Sequence, residues 1–74
     1  EVAWEIGPNP ASHSLSFTNC PYHTNFSIFD FQGREVLNDF WVGQTIDISD
    51  FSAGVYLVKV NSPTKQSAKK LVIK

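Results

Sequence analysis

Short apolar runs, separated by turn-forming residues roughly every 8–12 positions, extend along the whole chain. Runs of this length and spacing are typical of strands in a β-sandwich or a small barrel. The pattern predicts seven strands, at residues 2–6, 13–18, 26–31, 34–38, 45–48, 55–60 and 67–74. Because short turns join neighbouring strands, we expect mostly antiparallel pairing. Residues 49–53 are the one segment that could form a helical turn.

Alternation of apolar and polar residues predicts the face on which each side chain lies. Leu15 and Phe17 alternate with serine and threonine, which predicts a strand with one buried face. Ile46 and Ile48 are predicted to point inward, with Asp47 outward. The other apolar sets that share a face are Phe26 with Ile28, Phe29 with Phe31, and Tyr56 with Val58 and Val60.

Proline, aspartate and glycine mark the turns between these strands. Pro8 and Pro10 remove two backbone N–H donors and stop the first strand. Asp30 and Gly33 favour a turn, because the carboxylate can bind the local backbone and glycine tolerates a positive φ. The third and fourth strands are therefore predicted to form a hairpin.

Length and composition narrow the function classes. The 74 residues suffice for one small domain, 1–74, with little room for a catalytic cleft, and we expect no enzyme. At 42% hydrophobic and 18% charged, the chain is too apolar for a disordered tail. It also lacks the run of roughly 18 apolar residues that a membrane helix needs. The absence of an initiator methionine leads us to expect a fragment of a longer secreted protein.

Charge is unevenly distributed along the sequence. The net charge of −1 argues against a generally basic nucleic-acid binder. All seven acidic residues lie in residues 1–50 beside a single arginine, and residues 51–74 hold five lysines and no acid. These lysines either keep an edge strand from pairing with other chains or form a landing surface for an acidic partner. Both roles can hold together.

Two groups of residues raise the question of a metal. Cys20 and His23, with His13 upstream, have a ligand-like spacing, but a structural zinc site needs a second pair. Asp47 and Ser49, with an acidic neighbour at position 50, supply too few oxygens for calcium. We expect no metal and no cofactor. The single cysteine forms no internal disulfide and is interpreted as a small apolar filler or a free loop thiol.

Three aromatic residues offer an alternative function. Trp4, Phe40 and Trp41 could stack on sugar rings if they were exposed on a small sandwich. The structural interpretation places Trp4 and one of the adjacent pair in the core. A fibronectin-like or carbohydrate-binding accessory module of a secreted hydrolase is therefore the alternative hypothesis.

Five segments carry a resemblance to a known family. They are Pro8-Asn9-Pro10, Asp30-Phe31-Gln32-Gly33-Arg34-Glu35-Val36, Ile46-Asp47-Ile48-Ser49, Gly54-Val55-Tyr56-Leu57-Val58-Lys59-Val60 and Lys69-Lys70-Leu71-Val72-Ile73-Lys74. In order and spacing the chain resembles the C-terminal sorting domain, type A, of the type IX (Por) secretion system of Bacteroidetes. It departs from the usual pattern at Phe51, where leucine is commoner, and in the aromatic pair at 40–41.

The resemblance implies a delivery signal with an immunoglobulin-like β-sandwich fold. Such a domain is covalently linked to an N-terminal passenger and directs it through the type IX translocon, with an outer-membrane shuttle protein and a sortase-like peptidase as partners. The passenger would pass through the periplasm to the cell surface or the extracellular space. Cleavage of the domain at the surface is expected, and binding of nucleic acid or insertion into a membrane is not.

The resemblance also implies which residues are recognised by the translocon or the shuttle. They are Pro8, Asn9, Pro10, Asp30, Gly33, Arg34, Gly54, Tyr56, Lys69, Lys70, Val72, Ile73 and Lys74. The closing strand is expected to present a free edge that another sheet could extend. Loss of residues 72–74 is accordingly expected to block export more than it harms folding.

Overall fold

The computed structural model describes residues 4–61 and 66–74, which form seven strands. The strands are β1 (Glu5–Gly7), β2 (Ser14–Thr18), β3 (Thr24–Phe29), β4 (Glu35–Trp41), β5 (Ile46–Asp47), β6 (Gly54–Asn61) and β7 (Gln66–Ile73). No helix occurs in these two ranges, and hence none that is long and apolar enough to cross a membrane. The protein is an all-β domain.

The strands form two antiparallel sheets that pack as a β-sandwich. One sheet has three strands in the order β1-β2-β5, and the other has four in the order β4-β3-β6-β7. All five strand pairings are antiparallel. The four-stranded sheet places β4 beside β3, as immunoglobulin-like domains do when they add a strand to their smaller sheet. The predicted fold class is confirmed.

The core lies between the sheets. Its largest fully buried side chains are Phe26, Leu15, Ile28, Ile48, Leu71 and Val58. Phe17 contacts three other aromatic rings, with centroid distances of 5.0 Å to Phe26 and 5.8 Å to both Trp41 and Trp4. Tilted aromatic pairs at such distances stabilise a core beyond their buried area. A chain without disulfides thus gains cohesion from aromatic packing across the sandwich.

The predicted strands are all present, with shifted ends. The third strand ends at Phe29, so the prediction that Phe31 lies within it is wrong: this side chain is 87% exposed in a turn. The fourth strand continues to Trp41. Residues 49–53 form a turn closed by the Phe51 N–H donating to the Ile48 carbonyl at 3.0 Å, without a helix. Residues 2 and 3 of the predicted first strand lie outside the described residues.

Candidate recognition site

The turn between β3 and β4 is organised around the carboxylate of Asp30. Its Oδ1 accepts hydrogen bonds from the backbone N–H groups of Gln32 and Arg34, both at 2.9 Å. Its Oδ2 accepts from Nε of Arg34 at 2.9 Å. Gly33 adopts a φ of +85°, a conformation that glycine enters at little cost, and its N–H donates to the Asp30 carbonyl. These contacts fix the turn from within a five-residue segment.

These contacts favour the ionised form of the carboxyl group. Hydrogen bonding from the Arg34 backbone, followed by the bonds from its side chain and from Gln32, holds the pKa of Asp30 below its ordinary value of 3.8. The Arg34 side chain is 75% exposed, whereas that of Asp30 is 14% exposed. Both oxygens of the Asp30 carboxylate are therefore bound within the turn, whereas the Arg34 side chain is exposed to solvent.

Tyr56 supports the entry into β6 from inside the sandwich. The side chain is 9% exposed, and its hydroxyl donates to the Ser52 carbonyl at 2.7 Å. Its ring stacks on Phe51 with a centroid distance of 5.6 Å. A tyrosine at this point, bonded to backbone a few residues upstream, matches the tyrosine corner of immunoglobulin-like sandwiches. It holds the segment that leads to Gly54 against the core.

The Asp30 turn and the start of β6 lie beside each other at one end of the four-stranded sheet. Residues 30–32, Arg34 and residues 52–56 line a shared groove of about 280 Å³. A second groove, of about 570 Å³, adjoins the same turn and extends across the sheet to Lys70. Six of the residues predicted from the resemblance therefore border two neighbouring concave surfaces: Asp30, Gly33, Arg34, Gly54, Tyr56 and Lys70.

The segment after β1 reaches the same end of the sheet and binds the outer edge of β7. The side-chain amide of Asn9 donates to the Lys70 carbonyl at 3.0 Å and accepts from the Val72 N–H at 3.1 Å. Ala11 continues the contact, donating to the Val72 carbonyl and accepting from the Lys74 N–H, both at 2.8 Å. The prediction of a free edge on the closing strand is therefore wrong for residues 70–74.

Pro8 and Pro10 flank Asn9 on either side. The peptide bonds that precede Pro8 and Pro10 are both cis. Both rings are exposed. Proline cannot donate from its backbone nitrogen, so the hydrogen bonds to β7 come from Asn9 and Ala11.

Alternation along β7 divides the remaining predicted residues between the two faces. Ile73 is 2% exposed and belongs to the core. Lys69 lies on the same face, with its ammonium 5.4 Å from the Trp4 ring centroid and 3.7 Å from Glu5. Lys70 and Val72 lie on the outer face, where Lys70 is exposed. Of the predicted β7 side chains, Lys70 is thus better placed for recognition than Lys69 or Ile73.

Comparison with known proteins gives a family assignment. No curated protein matches the chain. The sequence profile described as "Secretion system C-terminal sorting domain" matches residues 5–74. The chain belongs to this family. Membership makes the chain a sorting signal of type IX secretion, carried by a passenger that is exported to the cell surface or the extracellular space.

The other candidate residues of the sorting domain have structural roles. Cys20 is 8% exposed in the core, which confirms its interpretation as an apolar filler. The carboxylate of Asp47 accepts hydrogen bonds from the Ser49 N–H and hydroxyl at 2.9 and 2.7 Å, which lowers its pKa. Across residues 4–61 and 66–74, no three His, Cys, Asp or Glu side chains form a metal-binding group.

The three aromatic residues considered for sugar stacking differ in their exposure. Trp41 is 8% exposed, and its Nε1 donates to the Gln44 carbonyl at 3.1 Å. Trp4 is half-buried against Phe17 and donates to the Ser67 hydroxyl. The predicted core position is confirmed for Trp41, whereas Trp4 packs against the core and stays partly exposed. Phe40, the other member of the pair, is 55% exposed. Glycan stacking through Trp41 is contradicted, because that ring is covered.

Sequence reasoning missed three contributors to this end of the sandwich. Ala11 contacts β7 through its backbone, which the sequence does not reveal. Phe31 and Leu57 expose large apolar surfaces beside the grooves. The signal for Phe31 was its position between Asp30 and Gly33, since turn positions leave side chains in solvent.

Proposed function

We propose that the type IX translocon and an outer-membrane shuttle protein recognise the sorting domain at the end of the four-stranded sheet where the family motifs meet. The domain carries its passenger through the periplasm, and a sortase-like peptidase removes it at the cell surface. The domain itself catalyses no reaction. The observation that carries this proposal is the convergence of three separated motifs, residues 30–34, 54–56 and Lys70, on two adjoining grooves.

Accessible and covered motif residues have different parts in this proposal. Arg34 and Lys70 present cationic side chains to solvent and are suited to contact a partner directly. Tyr56 and Ile73 are buried and act by holding the displayed surface in shape. Asn9 fixes β7 beside the grooves. Recognition accordingly depends on a folded domain whose motif residues are displayed in a fixed arrangement.

Fusion of the domain behind a periplasmic reporter tests the proposal in a type IX–competent host. Residues 1–74 should move the reporter out of the cell, and a strain without a working translocon should retain it. Arg34→Gln and Lys70→Gln should lower the exported fraction, because each removes a cation from the displayed surface. Thr18→Ala, at an exposed position on β2 away from the grooves, is the matched control.

The same strains report on cleavage. Mass spectrometry of the exported reporter should detect the passenger without the sorting domain, and inactivation of the surface peptidase should leave the two joined. A reporter that stays in the periplasm with the unaltered domain attached contradicts the sorting role. An exported reporter that retains the intact domain contradicts only the cleavage step.

A further inference from the structure

The outer face of the four-stranded sheet carries an apolar surface formed by side chains to which the resemblance assigns no role. We use "outer face" for the side of β3, β6 and β7 that points away from the core. The exposed fractions there are 87% for Phe31, 44% for Leu57 and 43% for Val55. These three residues line the groove of about 570 Å³. This volume lies within the range of roughly 300–1,000 Å³ that is usual for ligand-binding clefts.

Strand register places these side chains in adjoining rows. Phe29 lies opposite Leu57, and Leu57 lies opposite Lys70, so the three form one row across three strands. Val55 lies opposite Val72 in the next row. Directly opposite residues have Cβ atoms about 4.5–5.5 Å apart, so the rows form a continuous surface. Phe31 extends this surface from the turn.

Two lysines give the outer face its charge. Lys59 and Lys70 both line the groove with Leu57. The carboxylate of Asp30, which also borders the groove, is bound by the Asp30 turn. Within the described ranges, no carboxylate lies within ion-pair distance of either ammonium group. The face is therefore apolar and cationic.

We infer that the outer face docks a segment of a partner protein that carries leucine- or phenylalanine-like side chains next to carboxylates. The apolar rows accept the hydrophobic side chains, and Lys59 and Lys70 pair with the acids. Charge complementarity favours this partner over a neutral or basic one. The inference deepens the proposed function and rests on it, since the partner is part of the machinery that handles the sorting domain.

A peptide titration of the 74-residue chain, followed by amide NMR, tests the chemistry directly. The probe is an acetylated heptapeptide that alternates glutamate with leucine and phenylalanine. Two matched probes serve as controls. In one, lysine replaces the glutamates, and in the other, serine replaces the apolar residues. We expect saturable shifts at Phe31, Val55 and Leu57 with the first probe. Its affinity should exceed that of either control by about tenfold, equivalent to one buried side chain or one close ion pair.

Two variants locate the binding surface. Leu57→Ser should weaken binding of the acidic apolar probe by about tenfold through lost apolar contact. Lys70→Glu should weaken it and raise affinity for the lysine probe. Dispersed amide spectra check that each variant folds, and the exposed position of both side chains favours this. If Leu57→Ser does not fold, the charge-reversed variant carries the test.

Several results would overturn the inference. Equal binding of the three probes, the absence of saturable shifts, or shifts confined to another surface each contradict it. Self-association of the chain through Val55 and Leu57 would assign the face to a second copy and contradict it too. The reporter assay distinguishes failure of this inference from failure of the proposed function. Export by the unaltered domain without peptide binding overturns only the inference, whereas retention of that reporter overturns the proposed function.

Discussion

The Asp30 carboxylate illustrates how a single residue sets the shape of a turn. Three N–H donors converge on it, and they lower its pKa because they bind the ionised form more strongly than the neutral one. Its contribution to stability is therefore complete above the ordinary value of 3.8. It is lost as pH falls through the lowered pKa of the folded state.

The Asp30→Asn variant separates the contribution of Asp30 to stability from that of the other groups that are protonated at low pH. The amide keeps one acceptor oxygen but removes the charge, so we expect lower stability than the unaltered domain near neutral pH. The difference should shrink as pH falls from about 5 to 2, because the unaltered carboxylate then becomes protonated. Urea unfolding across this range measures it. Asp47, whose pKa is also lowered, is present in both proteins, so its effect cancels in the difference. A constant difference at every pH would contradict the prediction.

Gly43 is constrained by its backbone. Its φ is +94°, and a Cβ there would lie 2.9 Å from the hydroxyl oxygen of Tyr22. Tyr22 is 67% exposed and its ring can move, so the backbone conformation is the larger obstacle. We expect Gly43→Ala to lower the free energy of unfolding by about 1–2 kcal/mol.

Two controls identify the cause of this loss. Gly7→Ala, where a Cβ meets nothing within 4 Å, should change stability by less than about 0.5 kcal/mol. The cost of Gly43→Ala should persist in a Tyr22→Ala background, since the backbone strain does not depend on the ring. Disappearance of the cost in that background would assign it to the side-chain clash instead.

At the scale of elements, Asn9 acts as a cap on an edge strand. An exposed sheet edge invites pairing with other chains, and covering it with a loop is one way in which proteins prevent this. Asn9 and Ala11 cover the backbone of Lys70, Val72 and Lys74 through four hydrogen bonds. The expected edge is thus occupied by the chain itself.

Replacement of Asn9 tests the cap by hydrogen exchange. Asn9→Ala should speed exchange of the Val72 amide and cost about 1–2 kcal/mol for two lost hydrogen bonds. Asn9→Asp keeps an acceptor for that amide but loses the donor to Lys70, so it should retain protection at Val72. Ser16→Ala, at an exposed position on β2, is the control. Unchanged exchange at Val72 in Asn9→Ala would contradict the role of Asn9.

Sequence alone predicts an element well when burial imposes a clear alternation. β6 shows this, because Tyr56, Val58 and Val60 are buried and the residues between them are not. β4 is an edge strand with mostly exposed residues, so alternation did not reveal its full length. Phe31 fitted the alternation of β3, but the side-chain bonds of Asp30 end that strand first.

The residues of the candidate site were predicted as separate sequence motifs. That these motifs lie close together in space is seen only in the folded structure. Order and spacing along the chain indicated the family, and the profile match over residues 5–74 shows it. The contact of Asn9 with Lys70 joins residues 61 positions apart, which no local pattern predicts. Burial also separates Ile73 from Lys70, although both lie in one motif.

At the scale of the whole molecule, one sheet carries the displayed surfaces and the other closes the core. The grooves and the outer face all belong to the four-stranded sheet, whereas the three-stranded sheet closes the core behind it. β7 serves both purposes, since Leu71 and Ile73 are buried while Lys70 faces solvent.

Removal of residues 72–74 would take away the buried Ile73 and three of the four hydrogen bonds to Asn9 and Ala11. Such a deletion should destabilise the fold by about 3 kcal/mol or more and would confound folding with export.

Point substitutions in β7 separate the two effects. Lys70→Gln should change the free energy of unfolding by less than about 0.5 kcal/mol, because the side chain is exposed, and should lower export. Ile73→Val should cost about 0.5–1.5 kcal/mol through the lost buried methylene and leave export near that of the unaltered domain. Urea unfolding of the 74-residue chains and the exported fraction of the reporter measure the two quantities. If export instead follows stability in both variants, the machinery responds to the folded state of the domain rather than to the surface around Lys70.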